Sequence, residues 1–405
     1  MTTTTGSPAQ ARTETAPRWF GVGSSADADP VRAARQATSE ALQGAAPALM
    51  LVLTSHEGDL AGLVAAIRAQ AGPDVAIVGT TTCGEITRPG PGERTVVVTA
   101  LGGPGFTART AIGLQGEDGQ RAAGQDVALG LTGTGREHEV LLVLGDGLTQ
   151  RQHDLVRGIY SVVGAGVPLA GACGGNLTYT DAQQFRCAPG EVVPEVVRHG
   201  VVAAAVGSDA PIGVGVAHGW RPSGEPMNIT ASSDTLVYEI DHRPALDVYL
   251  ERLGVDDGVT ADPGAFFEFT HRHPLGVARR GGEDIRVIQS ADLEQRTITC
   301  FADAQQGTVA WIMETDPQAL VDGGAQSCRQ ALDALAGAPP LGVLAFDCAV
   351  RKLQLGADGV AQEIAGMRGV IGEVPLAGFY SMGEICRTKG ARGMHHMTSV
   401  SVAFA

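Results

Sequence analysis

Apolar and polar positions alternate along this chain with two different periods, and the switches between them mark out its elements. "ALMLVLT" (48–54) is apolar throughout, the pattern of a strand covered on both faces. "HEGDLAGLVAAIRAQAG" (56–72) spaces its apolar residues helically, with Leu60, Leu63, Val64 and Ile67 on one face and Gly72-Pro73 as the stop. "VAIVG" (75–79) returns to a strand and runs into "TTTCGEI". The same succession recurs as strand "EVLLVLG" (139–145), helix "TQRQHDLVRGIYSVVGAG" (149–166) and strand "VPLAG" (167–171), ending in "GACGGNL". A third version runs from "GVLAFDC" (342–348) to "VPLAGFYSMGEI" (374–385).

These copies predict a repeated strand–helix–strand–Gly-loop unit. Leu53 to Gly79 is 26 residues, Leu144 to Gly171 is 27 and Phe346 to Gly378 is 32. Two copies finish on Gly-Glu-Ile, and the middle one places Asn176 where the others carry glutamate. Between the copies, "RTVVVTALGG" with "FTARTAIGL" and "HGVVAAAVG" with "IGVGVAHGW" read as hairpins that add antiparallel strands. "GVGSSADADP" (21–30) reads as a strand and then a helix start, with Ser24, Ser25 and Asp27 as caps. A long helix is expected over 316–337, and "TSVSVAFA" alternates like a closing strand. The expected fold class is α/β, with two domains of mixed β-sheets flanked by helices. Gly, Pro and Ser cluster in "GWRPSGEPMN" (219–228), which sets the expected division at 1–18 as a disordered tail, 19–222 and 223–405.

Charge narrows the functional classes. With 29 Lys+Arg against 44 Asp+Glu, the net charge of −15 gives no basic footprint for nucleic acid or anionic lipid. Aromatic residues make up 4%, too few for a base-stacking surface. The N-terminus lacks an apolar core segment, so no secretory signal is read there, and no apolar run is long enough to span a bilayer. Seven cysteines without framework spacing favour a reducing cytoplasm.

The candidate chemistry gathers at the loops. Gly79, Gly84, Gly378 and Gly383 bring backbone N–H groups close to anything bound beyond the strand ends. Glu85 and Glu384 either face an ammonium there or lock their own loops. Arg351 suits a carboxylate or a structural ion pair, and Tyr380 lines either a pocket or the core. Cys83, Cys173, Cys348 and Cys386 are thiol candidates or small buried hydrophobes. Metal motifs of the C-x-x-C or H-E-x-x-H kind are absent. "HRHP" places His271 and His273 at i and i+2, which on a strand would share a face, and His218 and His396 are further single-ligand candidates.

In order along the chain, "VGTTTCGEI", "PLAGACGGN", "GWRPSGEPMNIT", "ALDVYLERLG", "HPLGV", "FDCAVRKLQLG" and "PLAGFYSMGEI" resemble the FIST family, with its paired N- and C-terminal FIST domains. Together they cover 19–405, and one departure is His395-His396 where the family tends to carry His-Asn. The resemblance implies a bacterial sensory protein of signal transduction that binds a small molecule, with amino acids proposed, and relays it to a partner. A subset of the family looks like haem-binding nitric-oxide sensors coupled to a histidine kinase. A thiol-dependent enzyme is the rival reading from the cysteines. The ligand set taken forward is Gly79, Cys83, Gly84, Glu85, Cys173, Asn176, Arg351, Gly378, Tyr380, Gly383 and Glu384.

Overall fold

The computed structural model describes residues 17–44, 47–131, 133–279, 282–388 and 393–405. Residues 1–16 of the expected tail lie outside the described residues. The predicted α/β architecture of mixed sheets flanked by helices forms, and the repeat is its organising feature.

The first unit comprises β1 (Trp19–Ser25), α1 (Pro30–Ala41), β2 (Pro47–Thr54), α2 (Leu60–Ala71), β3 (Ala76–Thr81), β4 (Glu85–Thr87), β5 (Gly90–Gly92) and β6 (Val96–Gly102). The second repeats this order with β7 (Phe106–Leu114), α3 (Gly119–Leu129), β8 (His138–Asp146), α4 (Gln152–Val163), β9 (Leu169–Gly174), β10 (Gln184–Cys187), β11 (Glu195–Val197) and β12 (Gly200–Ser208). The third opens with β13 (Ile212–Ala217) and is then interrupted by an insertion. That insertion holds β14 (Arg221–Ser233), β15 (Leu236–Ile240), β16 (Arg243–Pro244), α5 (Ala245–Leu253), α6 (Pro263–Thr270), β17 (Leu275–Arg279), β18 (Gly282–Arg286), β19 (Ile288–Asp292), β20 (Thr297–Cys300) and β21 (Val309–Glu314). The third unit resumes with α7 (Pro317–Asp333), β22 (Gly342–Cys348), α8 (Ala349–Ile371), β23 (Leu376–Ser381), β24 (Glu384–Arg387), β25 (Met394–His395) and β26 (Ser399–Phe404).

Each unit builds the same sheet and finishes it with a hairpin borrowed from another unit. The strand orders are β1-β6-β2-β3-β10-β11, β7-β12-β8-β9-β24-β25 and β13-β26-β22-β23-β4-β5. The first hairpin completes the third sheet, the third completes the second, and the second completes the first. In each sheet the central pair is parallel (β2 with β3, β8 with β9, β22 with β23), which needs the helical crossover that the sequence period predicts. Inner faces of all three sheets meet in one core that includes Leu51, Leu53, Leu142, Leu144, Phe346 and Phe379. The outer faces are covered by α1 and α2, by α3 and α4, and by α7 and α8. The insertion has its own core around Ile229, Tyr249, Phe266 and Ile298.

Both expected hairpins are corrected. β6 pairs with β1 and β2 while β7 pairs with β12, and β12 pairs with β7 and β8 while β13 pairs with β26. The strands are antiparallel additions, as expected, but the Gly103–Gly105 and Asp209–Pro211 turns carry the chain from one sheet to the next. The cap of α1 is Asp29, whose side chain accepts the Arg32 N–H at 2.9 Å, while Ser24 and Ser25 lie in β1. Strands from either side of 222/223 share sheets: β13 pairs with β26, and β4 pairs with β23.

Candidate functional site

The three Gly-loops cross one another in a closed cycle. Cys83 N–H donates to Tyr380 O (2.9 Å), Met382 N–H to Cys173 O (2.9 Å) and Gly175 N–H to Thr81 O (3.1 Å). In return Tyr380 N–H donates to Gly84 O (2.8 Å), Cys173 N–H to Gly383 O (2.8 Å) and Thr81 N–H to Gln183 O (2.9 Å). Cys83, Gly175 and Met382 therefore occupy equivalent places, and they meet: a Cβ on Gly175 would lie 2.8 Å from both Cys83 Sγ and Met382 Sδ. Gly79 and Gly378 sit inside strands, not in loops, opposite Val52 and Ala345. A side chain there would strike the neighbouring strand's carbonyl. Gly84 and Gly383 have φ of 115° and 138°, a backbone that favours glycine.

This geometry answers the question that the two Gly-Glu-Ile loops raise. Glu85 and Glu384 are wholly buried, and each is a lock. Glu85 accepts from Ser55 Oγ (2.9 Å) and from the hydroxyls of Thr82 and Thr95. Glu384 accepts from Ser381 Oγ (2.9 Å), Thr398 N–H (3.1 Å) and Thr398 Oγ1 (3.0 Å). Thr95 and Thr398 immediately precede β6 and β26, so each carboxylate pins the start of its unit's last strand. The middle unit does this with a different residue: Asp146 accepts N–H from His199 and Leu148, both at 2.8 Å. The strand position equivalent to Glu85 and Glu384 is Gln184, not Asn176, because the middle loop is longer. Asn176 accepts the Thr180 N–H at 2.8 Å and shapes that loop.

Burial drives Glu85 up to about 7 and Glu384 up to about 8, against the partial relief of their hydrogen bonds. Burial also drives the imidazoles of His218 and His396 down, to about 4 and about 3. The native protein keeps the two glutamate protons to higher pH than an unfolded chain does, so stability falls as pH rises from about 5 toward 8. The two histidines bind protons only when unfolded between about 4 and 6.5, so stability rises with pH across that window. A maximum of the melting temperature near pH 5 to 6 is expected in calorimetry. The double variant Glu85→Gln, Glu384→Gln should flatten the decline above it.

Arg351 is fully buried. It donates to Asp347 (2.8 Å), to His218 O (2.6 Å), to Leu320 O (2.9 Å) and to the carboxylate of Glu363. Burial lowers its pKa, but Asp347 and Glu363 outweigh that and the net direction is upward. The hydroxyl of Tyr380, also buried, faces Glu363 at 3.4 Å. All seven cysteines are buried and free. Burial pushes Cys83 up to about 12 and moves Cys173 and Cys348 well upward, away from the thiolate a nucleophile needs.

An open cavity of about 650 Å³ lies elsewhere, between the insertion and the third unit. The insertion contributes Ser223, Leu253, His271, Arg272, His273, Ile312, Met313 and Glu314 to its wall. The third unit contributes Pro317, Leu320, Leu353 and Gln354, and Thr315 and Asp316 join the two parts. "HRHP" is not a strand. His271 ends α6 and His273 follows in a turn, with Nδ1 2.9 Å from Phe269 O. Of the sequence candidates, only His271 and His273 line this cavity. Arg351 stands directly behind it, holding the carbonyl of Leu320. His218 accepts the Trp220 N–H at 2.9 Å, and His396 is buried against Phe301 with ring centroids 6.0 Å apart. Arg272 and Gln354 were missed, although "HRHP" and "FDCAVRKLQLG" contain them.

A haem does not fit these residues. It needs an apolar slot with an axial ligand, whereas eight of the 14 lining residues are polar or charged. Among the described residues no group of three or more His, Cys, Asp or Glu is placed to hold a metal ion.

Three like α/β units closed by exchanged hairpins, with one β-rich insertion over a cavity, define the class. The FIST N domain model matches residues 48–243 and the FIST C domain model residues 245–387, so the chain belongs to the FIST family, whose domains are sensory domains of signal transduction. It is similar to the uncharacterized protein Rv0628c of Mycobacterium tuberculosis, 25% identical over 397 residues that span 95% of this chain and 99% of that protein. The uncharacterized Mycobacterium bovis protein Mb0898c is 26% identical over 47% of this chain and 49% of its own. The uncharacterized protein MJ1623 of Methanocaldococcus jannaschii is 27% identical over 37% of this chain and 30% of its own. No helix among the described residues is long and apolar enough to cross a membrane.

Proposed function

We propose that this protein is a cytoplasmic bacterial sensor that binds a small metabolite, an amino acid or similar zwitterion, in the cavity between the insertion and the third unit. It reports occupancy to a separate signalling protein, such as a histidine kinase. The observation that carries the reading is the cavity itself. Its volume of about 650 Å³ lies in the range of small-molecule sites, and its wall mixes apolar chains with a few polar groups. Its position supports a sensory role, because a ligand there would touch both parts of the molecule and alter how they pack. Arg351 links the same wall to the buried Asp347–Glu363 pair and to His218 at the root of the insertion.

A thermal-shift screen of metabolites tests this. A ligand held only by the native state and present at 100 times its Kd should add about 2.7 kcal/mol of stability. Leu353→Trp, which places an indole at the half-exposed mouth, should abolish the shift with the fold intact by circular dichroism. A shift that survives Leu353→Trp unchanged places the ligand elsewhere and overturns the reading.

A further inference from the structure

We propose that the seam where the insertion meets α4 and β25 is a proton-operated latch, closed while His153 and His396 are both neutral and opened by acid with the three-unit core still folded. This is independent of what the cavity binds.

Two imidazoles from different elements meet in this seam. His153 lies in the first turn of α4, and His396 directly follows β25, the edge strand of the second unit's sheet. Each is 5% exposed, and among the described residues neither ring nitrogen of either has a hydrogen-bond partner. An imidazolium carries two N–H donors and must place both. Here no acceptor is offered and the nitrogens are closed to water, so a proton is taken up only once the seam parts.

The insertion supplies the opposite wall. Phe301 covers the ring of His396, and Arg286 on β18 is the charge it brings nearest. His395 and His153 are the other titratable neighbours of His396, so every such group facing it among the described residues is basic. His153 faces Arg151, Asp154 and Arg157 on its own helix and Asp303 from the insertion. Both acids are already engaged: Asp154 with Arg151 at 2.7 Å and Arg157 at 3.3 Å, and Asp303 with Arg157 at 3.1 Å. Asp154 passes 3.5 Å from His153 Nε2 without a hydrogen bond. His395 differs. Asp284 faces it at 3.7 Å, beside Arg279 and Arg286, and its Nε2 lies 3.0 Å from Cys386 O, so it stays outside the trigger.

Burial holds His153 below the usual histidine range and, with Arg286 beside it, holds His396 at about 3. In the open seam both return to about 6.5. The closed form excludes the protons, so its advantage is complete above that value and is lost as pH falls below it. From pH 6.5 to 4.5 the opening equilibrium rises about 50-fold through His396 alone, and up to about 2,500-fold when His153 follows. The ion pairs that cross the seam oppose this weakly. Arg157–Asp303 and Arg151–Asp234 both use arginines more than a third exposed, and such pairs are worth about fivefold or less each. The insertion keeps its own core, and Ile285, Val287 and Met313 still join it to the third unit, which makes that side the pivot.

Spin labels read the seam on the full chain. Val162 on α4 and Leu293 on the insertion are exposed while all seven native cysteines are buried, so Val162→Cys with Leu293→Cys takes label at those two sites. The distance between the labels should lengthen in a growing fraction of molecules from pH 6.5 to 4.5, with far-UV circular dichroism unchanged. Adding His396→Phe, which keeps a ring against Phe301, should hold the short distance down to pH 4.5. His153→Met, away from that ring, should move the transition to lower pH and carries the test if His396→Phe does not fold. A distance constant from pH 7 to 4.5, lengthening that coincides with loss of circular dichroism, or a transition that neither substitution moves overturns the proposal.

Discussion

Replacing Arg351 by methionine is expected to cost about 3–5 kcal/mol of folding stability, since removing one member of a buried ion-pair network strands the others. The guanidinium is wholly buried, as are the carboxylates of Asp347 and Glu363 on either side. Methionine matches much of the stem's volume, so the loss reports the charge, not a cavity. It also releases the carbonyls of Leu320 and His218, one in the wall of the cavity and the other at the root of the insertion. Denaturation in urea at pH 7 measures the effect. Adding Glu363→Gln to Arg351→Met should recover part of it by neutralising one stranded acid. A loss below about 1 kcal/mol, the level of an exposed pair, would show that the network is dispensable.

Gly378→Ala is expected to lose about 3 kcal/mol or more, at or above the upper end for overpacking in a well-filled core. Its Cβ would lie 1.9 Å from Ala345 O across the parallel β22/β23 pair. That atom is main chain, held in the sheet, and cannot swing away. The same clash awaits at Gly79 with Val52 O (2.3 Å) and at Gly171 with Val143 O (2.1 Å), the same place in each unit. Gly369→Ala is the control. It lies within α8 with nothing within 4 Å of its Cβ, so alanine should stabilise by about 0.5–1 kcal/mol through helix propensity. Equilibrium denaturation of the two variants side by side should give opposite signs.

Local pattern made much of the architecture legible. The strand expected at 342–348 is Gly342–Cys348, and the helix expected over 316–337 forms as Pro317–Asp333. Periodicity reports how an element is covered, and it did so correctly in all three units. It does not report which strand lies alongside. A Gly-Pro-Gly turn between two apolar runs reads alike whether the runs pair or part, which is why β6 and β7 were expected as a hairpin. Equating Asn176 with the two glutamates failed for a related reason. Counting from the glycine assumes loops of equal length, while the structural equivalent, Gln184, lies eight residues further on.

The candidate site was legible only in part. The matched glutamates pointed to a repeated device, but a carboxylate closing a turn and one reaching a ligand have the same sequence. Burial distinguishes them, and burial is decided by the other two units. The cavity was hidden because the insertion leaves the third unit after β13 and returns at α7, so its walls come from segments about a hundred residues apart.

The borrowed hairpins also bear on how this polypeptide is made. As it leaves the ribosome, the first unit waits for residues 184–197 before its sheet is whole, and the middle unit waits for residues 384–395 near the far end. Until then both expose bare strand edges, the kind of surface that draws neighbouring chains into aggregates. Quality-control factors would therefore meet this protein while nearly its entire length is synthesised but not yet closed, and truncating it between the two FIST domains would leave the first sheet whole but strip the second of its hairpin and the third of its central strands.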